Sequence, residues 1–387
     1  MSDHIDSGAR SNRDATVKED GSSVPLRRSI EVEYWVIDDE GRLTDPGDLT
    51  DAGEGVEREF IEPLLEIKTT PCDSTEELRT EFYERLDRVL QLAADRDRHL
   101  VPLGTPIHDG EIADRPGERT RIQDRVVGSN FEYVRHCAGT HIHVEQQPGY
   151  VIDQLNTLIA LDPALALVNS SPYFGGERLT TGARSQLYRR MAYETLPHQG
   201  RLWSYAEDLE EWAKRLEHRY GEFVTQSIIT GFDRERVESY FGPESAVWTP
   251  VQLRERFSTV EWRSPDAALP SEILRLADDL AAIVGRVTEV PVRIEGERGR
   301  STSGEIVLPE FDAVERYVET AITDGLDSTA VREYLDRMGF DVEAYDPLAG
   351  EMDAPAELTE SQARERRLEC ADRLEADVRR VSSLTAD

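Results

Sequence analysis

Residues 28–38, RSIEVEYWVID, alternate: Ile30, Val32 and Tyr34 stand two apart, with Glu31 and Glu33 between them. A period of two sends the apolar set to one face of a β-strand and the glutamates to the other. Turn chemistry follows in DDEGRLTDPGD, and EPLLEIKTT reads as a second short strand ended by Pro71. From Ser74 to His99 the period lengthens: Leu78, Phe82, Leu86, Val89, Leu90 and Ala93 share one helical face, and STEE has the pattern of a capping box. HLVPLG reads as a short buried strand. The segment Phe131 to Gln147, FEYVRHCAGTHIHVEQQ, reads as strand, glycine kink, strand, and Asp153 to Val168 as a helix. NSSPYFGGERLTTGARS reads as a loop, Trp203 to Tyr220 as a helix, SIITGF as a strand and STVEWRSP (Ser258 to Pro265) as another strand. Helical patterns follow at Ser271 to about Glu289, Phe311 to Ile322, Ser328 to Met338 and Thr359 to Leu384. Strands gather in the first two thirds and helices in the last, with no βαβα alternation. The expected class is α+β with an antiparallel sheet. Residues 1–26 are polar and aperiodic, which predicts a disordered acidic tail. Residues 27–385 are expected to form a single folded domain whose part from about 309 to 385 is helical.

Charge narrows the function. The chain has 387 residues, 78 acidic against 45 basic, and a net charge of −33. Such a charge repels a phosphate backbone or an anionic bilayer, so neither nucleic acid nor a membrane is an expected partner. Only Lys18, Lys68 and Lys214 are lysines, so arginine supplies 42 of the 45 basic side chains. An acidic, lysine-poor surface suits a halophilic solvent in which salt screens self-repulsion. Cys72, Cys137 and Cys370 are sparse and widely spaced, with no disulfide framework, which points to a reducing cytoplasmic interior. The start lacks the apolar stretch of a secretory signal. The apolar run Leu155 to Val168 is interrupted by Asn156, Thr157, Asp162 and Pro163 and is short for a bilayer.

Candidate chemistry lies on the strands. Glu31 and Glu33 share a face inside an apolar strand, where they must be neutralised; metal does this, although most acid-x-acid pairs in so acidic a chain are merely solvated. Glu66 sits mid-strand between Leu65 and Ile67, with Glu59 and Glu62 upstream, and pairing to Lys68 is the plain alternative. His141 and His143 share a face after a glycine; one could ligate a cation and the other meet a phosphate, or one could be a satisfied core histidine. Glu261 and Arg263 share a face opposite Val260 and Trp262, fitting either an internal ion pair or a carboxylate on metal beside a guanidinium on phosphate. Ser170, Ser171, Gly175, Gly176 and Arg184 lie in a small-residue loop that could approach an anion. Neither GxxxxGK[ST] nor a post-strand GxGxxG occurs, and no GxSxG elbow does.

The order of these motifs adds what none gives alone. E-x-E, the glutamates leading into LLEIKTTPC, G-x-H-x-H, SSP-x-x-G-G and TVEWRSPD occur in the order that resembles the type 2 glutamate–cysteine ligases, or carboxylate–amine ligases. The resemblance runs from about Ser29 to Asp266 and more loosely through the helical end. It implies a glutamine-synthetase-like antiparallel sheet that funnels substrates over its concave face, with helices behind. It implies Glu33, Glu59 and Glu66 as ligands of one Mg²⁺, and Glu31, His141 and Glu261 as ligands of a second that bridges ATP phosphates, with Mn²⁺ an alternative metal. His143, Arg184 and Arg263 would serve the γ-phosphate and glutamate, and Ser170 and Ser171 the nucleotide. The implied partners are glutamate, cysteine and ATP, joined through a γ-glutamyl phosphate to give γ-glutamylcysteine, ADP and phosphate. A salt-loving archaeon would be a natural host. Another amine acceptor, a related guanidino kinase and a catalytically inactive metal or nucleotide sensor stay open, as does homo-oligomerisation.

Overall fold

The computed structural model describes residues 26–108, 110, 112–352 and 355–384. The expected disordered tail lies outside the described residues, apart from Leu26, which is buried. A seven-stranded sheet organises the rest. Its strands are β1 (Arg28–Asp38), β2 (Val56–Arg58), β3 (Leu64–Lys68), β4 (Arg98–Val101), β5 (Thr140–Glu145), β6 (Val251–Arg254) and β7 (Thr259–Trp262). They lie in the order β2-β3-β1-β5-β7-β6, with β4 added to the second half of β1, and every pairing is antiparallel. The α+β reading with an antiparallel sheet is what the molecule shows.

The alternation of β1 sorts the two faces. Ile30, Val32, Tyr34 and Val36 enter a core with Leu65 and Ile67 of β3, Ile142 and Val144 of β5, and Val260 and Trp262 of β7. Each such fully buried side chain contributes roughly 1.5–3 kcal/mol of transfer free energy. Helices close this face: α1 (Thr75–Ala94) through Leu78, Phe82, Leu86 and Val89, with others described below. Ser74 caps α1, its hydroxyl accepting the Glu77 N–H at 3.1 Å, and the Glu77 carboxylate accepts the Asp73 N–H at 2.8 Å.

The helices that follow are α2 (Glu118–Val127), α3 (Phe131–Arg135), α4 (Val151–Leu161), α5 (Leu209–Ile229) and α6 (Pro270–Gly285), then α7 (Phe311–Thr323), α8 (Thr329–Met338) and α9 (Glu360–Leu384). Val151–Val168 is long and apolar enough to cross a membrane, yet 83% of it is buried within the fold, where it backs the sheet. The helices α7, α8 and α9 pack into the same core through Val318, Leu335 and Leu374.

Three expectations need correction. FEYVRHC forms the helix α3 and a turn, and extended structure begins only at Thr140, because Phe131 and Val134 bury against Ala192 and Tyr193 as a one-sided patch. SIITGF is not a strand: Ser227 to Ile229 end α5, leaving Ile229 72% exposed. That helix starts at Leu209 instead of Trp203, since the Asp208 carboxylate caps it by accepting the Glu211 N–H at 2.8 Å.

Candidate active site

The second face of the sheet carries the polar members of the same alternation, and they line a cavity of about 310 Å³. Register does the gathering. Across β1 and β3, Glu33 stands opposite Glu66 and Glu31 opposite Lys68; across β1 and β5, Glu31 faces His141; across β5 and β7, His143 faces Glu261.

Glu33, Glu59 and Glu66 form one group, with carboxylate oxygens all within 4.8 Å of one another. Glu59 sits just past β2, its N–H donating to Leu64 O at 3.4 Å. Gly139 N–H donates to Glu33 Oε2 at 2.7 Å, and Lys68 Nζ lies 2.6 Å from Glu66 Oε2. Burial, then the neighbouring carboxylate, pushes Glu33 and Glu59 up to about 7 and Glu66 well above the usual range. One lysine does not balance three acids. An oxygen-only, charge-deficient cluster fits a hard divalent cation such as Mg²⁺.

Glu31, His143 and Glu261 form a second group of the same span. Glu261 is 1% exposed and richly partnered: Arg263 Nη1 at 2.6 Å, Gln252 Nε2 at 2.9 Å and Arg254 Nε at 3.4 Å. Burial works to raise it, but Arg263 first and then His143 and His141 hold it down to about 2. For Glu31, burial is likewise outweighed by His141 and His143, so it lies below the carboxylate range. Burial and the Arg263 charge lower His141 to about 4, which leaves a neutral imidazole, the form that ligates metal. His143 Nδ1 lies 3.1 Å from Thr259 Oγ1, while its buried Nε2 has no hydrogen-bond partner and points between Glu31 and Glu261 at 3.7 and 3.6 Å. An orphan nitrogen aimed between two carboxylates fits a cation at that point. The expected trio joined His141 to Glu31 and Glu261; His141 Nδ1 lies 3.3 Å from Glu31 and 3.7 Å from Glu261 and also groups with Glu31 and Glu66, so both histidines stand beside this carboxylate pair.

Arg184 and Arg263 both lie on the cavity wall. Arg184, on the short helix Ala183–Gln186, donates to Ser264 O at 3.0 Å and Arg263 O at 3.3 Å, and its buried Nε has no hydrogen-bond partner. A Cβ on Gly139 would meet Arg184 Nη2 at 2.0 Å, so only glycine lets this guanidinium lie against the start of β5. Behind them, buried Asp162 accepts from Trp262 Nε1 at 2.8 Å, Arg189 Nη1 at 2.6 Å and Ser264 Oγ, tying the end of β7 to the helical layer.

Ser170 and Ser171, expected near the nucleotide, lie elsewhere than on this cavity's wall. Both are fully buried away from the cavity wall: Gly104 N–H donates to Ser170 Oγ at 2.7 Å, Ser170 N–H donates to Asp266 at 3.0 Å, and Ser171 pairs with Thr105. Their hydrogen bonds brace a loop. Gly175 and Gly176 make the turn of a hairpin between Tyr173–Phe174 and Glu177–Arg178. The sequence reading missed Arg119 and Gln123 of α2, Tyr188, Arg189, Trp248 and Arg254 on the cavity wall. Arg254 was findable, because VQLR alternates exactly as a strand does, with Val251 and Leu253 in the core.

Compared with known proteins, residues 15–367 match the model of glutamate–cysteine ligase family 2. A protein of Rhodococcus jostii (strain RHA1), provisionally named glutamate–cysteine ligase 2-1, is 31% identical over 160 residues, 39% of this chain and 43% of that protein. One of Chloroflexus aggregans, provisionally named glutamate–cysteine ligase 2, is 27% identical over 272 residues, 66% of this chain and 63% of that protein. The match thus spans less than two thirds of either relative. Among solved structures, a glutamate–cysteine ligase of Francisella tularensis in complex with AMP gives a TM-score of 0.55 at 13% identity, covering 92% of this chain and 89% of that one. A bifunctional glutathione synthetase of Pasteurella multocida gives 0.52 at 14% identity, covering 92% of this chain and 53% of that one. At such identities the likeness speaks for the fold alone. With the family model matched along most of its length, the chain belongs to glutamate–cysteine ligase family 2.

Proposed function

We propose that this protein joins the γ-carboxyl of glutamate to the amine of cysteine at the expense of ATP, through a γ-glutamyl phosphate, releasing ADP and phosphate. The observation that carries the reading is the pair of carboxylate groups, one bare and one studded with histidine, side by side in a cavity that also holds Arg184 and Arg263. A carboxylate and a triphosphate repel each other, so their meeting demands positive charge on both. Glu33, Glu59 and Glu66 would hold one Mg²⁺ or Mn²⁺, and Glu31 and Glu261 with His143 or His141 a second. When bound, such ions neutralise phosphoryl oxygens and lower the barrier as Lewis acids.

The remaining work falls to the chain's own side chains. Arg263, anchored on Glu261, and Arg184, anchored on two backbone carbonyls, present guanidinium edges to the transferring phosphoryl group and to glutamate. Their anchoring is preorganisation: neither must reorient as charge develops. His143 keeps one nitrogen on Thr259 and the other free toward the ligand. Phe60, Val134, Tyr188, Trp248 and Pro250 give the same cavity an apolar wall, suited to a small thiol side chain. The three cysteines are buried and unpaired, in keeping with a reducing cytoplasm.

A coupled ADP-release assay with glutamate, Mg²⁺ and a panel of amines tests this. Cysteine is expected to exceed serine or glycine by about 10–150-fold, the reach of an apolar pocket against a hydroxyl. The near-isosteric 2-aminobutyrate remains a tolerable acceptor. Equal rates with cysteine and alanine would remove the thiol specificity; ADP release that no amine stimulates would remove the ligase.

A further inference from the structure

We propose that Phe257, in the turn Glu255–Ser258 between β6 and β7, is the stacking platform for the purine base of the nucleoside triphosphate. The inference rests on the ligase reading above and extends it to a residue outside the carboxylate groups. Phe257 is 52% exposed beside buried His143. Its ring stands edge-on to the His143 imidazole, with centroids 6.1 Å apart at 79°. The guanidinium carbons of Arg254 and Arg256 lie 5.9 and 5.5 Å from its centroid. Arg254 belongs to the cavity wall, so the platform joins the cavity on its lip. Ser258 takes φ +53°, which closes the turn, and its carbonyl accepts the Gln146 N–H at 2.8 Å, tying the turn to the end of β5.

Direction follows from the strands. On the sheet face that carries the cavity, the order along β7 from the far end is Arg263, Glu261, then Thr259, and along β5 it is His141, His143, then Glu145, the first two of each lining the cavity. Both paths run from the arginines to the turn. In-line transfer puts the attacking carboxylate and the departing diphosphate on opposite sides of phosphorus. Buried Cys137 and Val134 line the arginine end, while residues 255–258 at the other end are exposed, so the larger ligand is placed toward the turn. With its terminal phosphoryl group between Arg184 and Arg263, the nucleotide then trails past His143 and Thr259 and sets its base on Phe257. The flanking arginines add cation–π and phosphate attraction at that lip.

Calorimetric titration of the full chain with Mg·ADP and, separately, Mg·tripolyphosphate tests this without any turnover. Phe257→Ala is expected to weaken ADP binding by about 5–150-fold while leaving tripolyphosphate, which has no base, unchanged. Phe257→Tyr keeps a ring and is expected to bind both as the native chain does. Circular dichroism checks that each variant folds. Native ADP affinity in Phe257→Ala, or equal losses for both ligands, overturns the platform while the ligase reading stands. Failure of the native chain to bind either ligand overturns that reading and the platform with it.

Discussion

The two carboxylate groups stand on one sheet face, share the Glu31–Glu66 neighbourhood and differ in their electrostatics. Around Glu261 the fold supplies Arg263, Arg254, Gln252 and two histidines, and the acid stays ionised. Around Glu33 it supplies a backbone N–H and the charges of Arg184 and Arg263, yet burial and Glu66 drive the acid upward. The same residue type thus meets charged partners from the chain in one group and chiefly other carboxylates in the other. Charge repulsion that folding leaves unrelieved points to a ligand more strongly than a satisfied buried ion pair does.

The largest expected effect falls where the groups meet. Glu31→Gln keeps shape and removes charge from both three-residue groups that contain it, so ADP release is expected to fall by at least about 100-fold with the thermal midpoint nearly kept. Full turnover at saturating Mg²⁺ would take Glu31 out of the cation sites. Next come two identical changes with opposite signs. Glu261→Gln strands Arg263 and Arg254 beside a neutral amide and is expected to destabilise the metal-free protein by about 2–4 kcal/mol, since both arginines are only partly exposed. Glu33→Gln relieves repulsion and is expected to stabilise it by about 1 kcal/mol while abolishing part of the stabilisation that Mg²⁺ confers. Denaturant melts with and without Mg²⁺ decide; changes of the same sign would erase the distinction drawn between the groups.

The smallest effect concerns an acid off the cavity. Asp266 is 1% exposed, and burial pushes it up to about 6. A carboxyl whose folded pKa exceeds its unfolded one costs stability as pH climbs between the two values. Relative to Asp266→Asn, the native chain is therefore expected to lose about 1 kcal/mol between pH 5 and pH 7, read from urea melts at fixed salt. A flat difference would show that Ser170 and Arg184 already compensate the charge.

Period-two sequence made β1 and β7 legible, because the apolar set on one face leaves the acids nowhere else to point. It also put Glu31 with Glu33, His141 with His143, and Glu261 with Arg263 on one face of each strand, and Glu66 mid-strand, which the register then brought side by side. What it could not carry was partner choice. Which histidine sits with Glu261 depends on the stagger of β5 against β7, a property of two strands and not of either. FEYVRHC has strand-forming composition, yet burial of Phe131 and Val134 on one side of a helix overrides it. The loop NSSPYFGGERL was open to two readings, and the difference lay in Thr105, Gly104 and Asp266, residues far along the chain.

The order of the strands has a consequence for the birth of this molecule. In the finished sheet β5 lies between β1 and β7, but β7 leaves the ribosome long after β5. Until it arrives, β5 is an edge strand, its outer N–H and C=O groups unpaired and the face that holds His141 and His143 incomplete. The pairings β1–β5 and β5–β7, which bring the histidines to Glu31 and Glu261, join distant parts of the chain, which makes them slow to form and dependent on the whole. Nascent and truncated forms ending before Thr259 therefore carry an open β-edge beside a dense cluster of acid, and that negative charge is itself a guard against edge-to-edge aggregation while the chain waits to be completed.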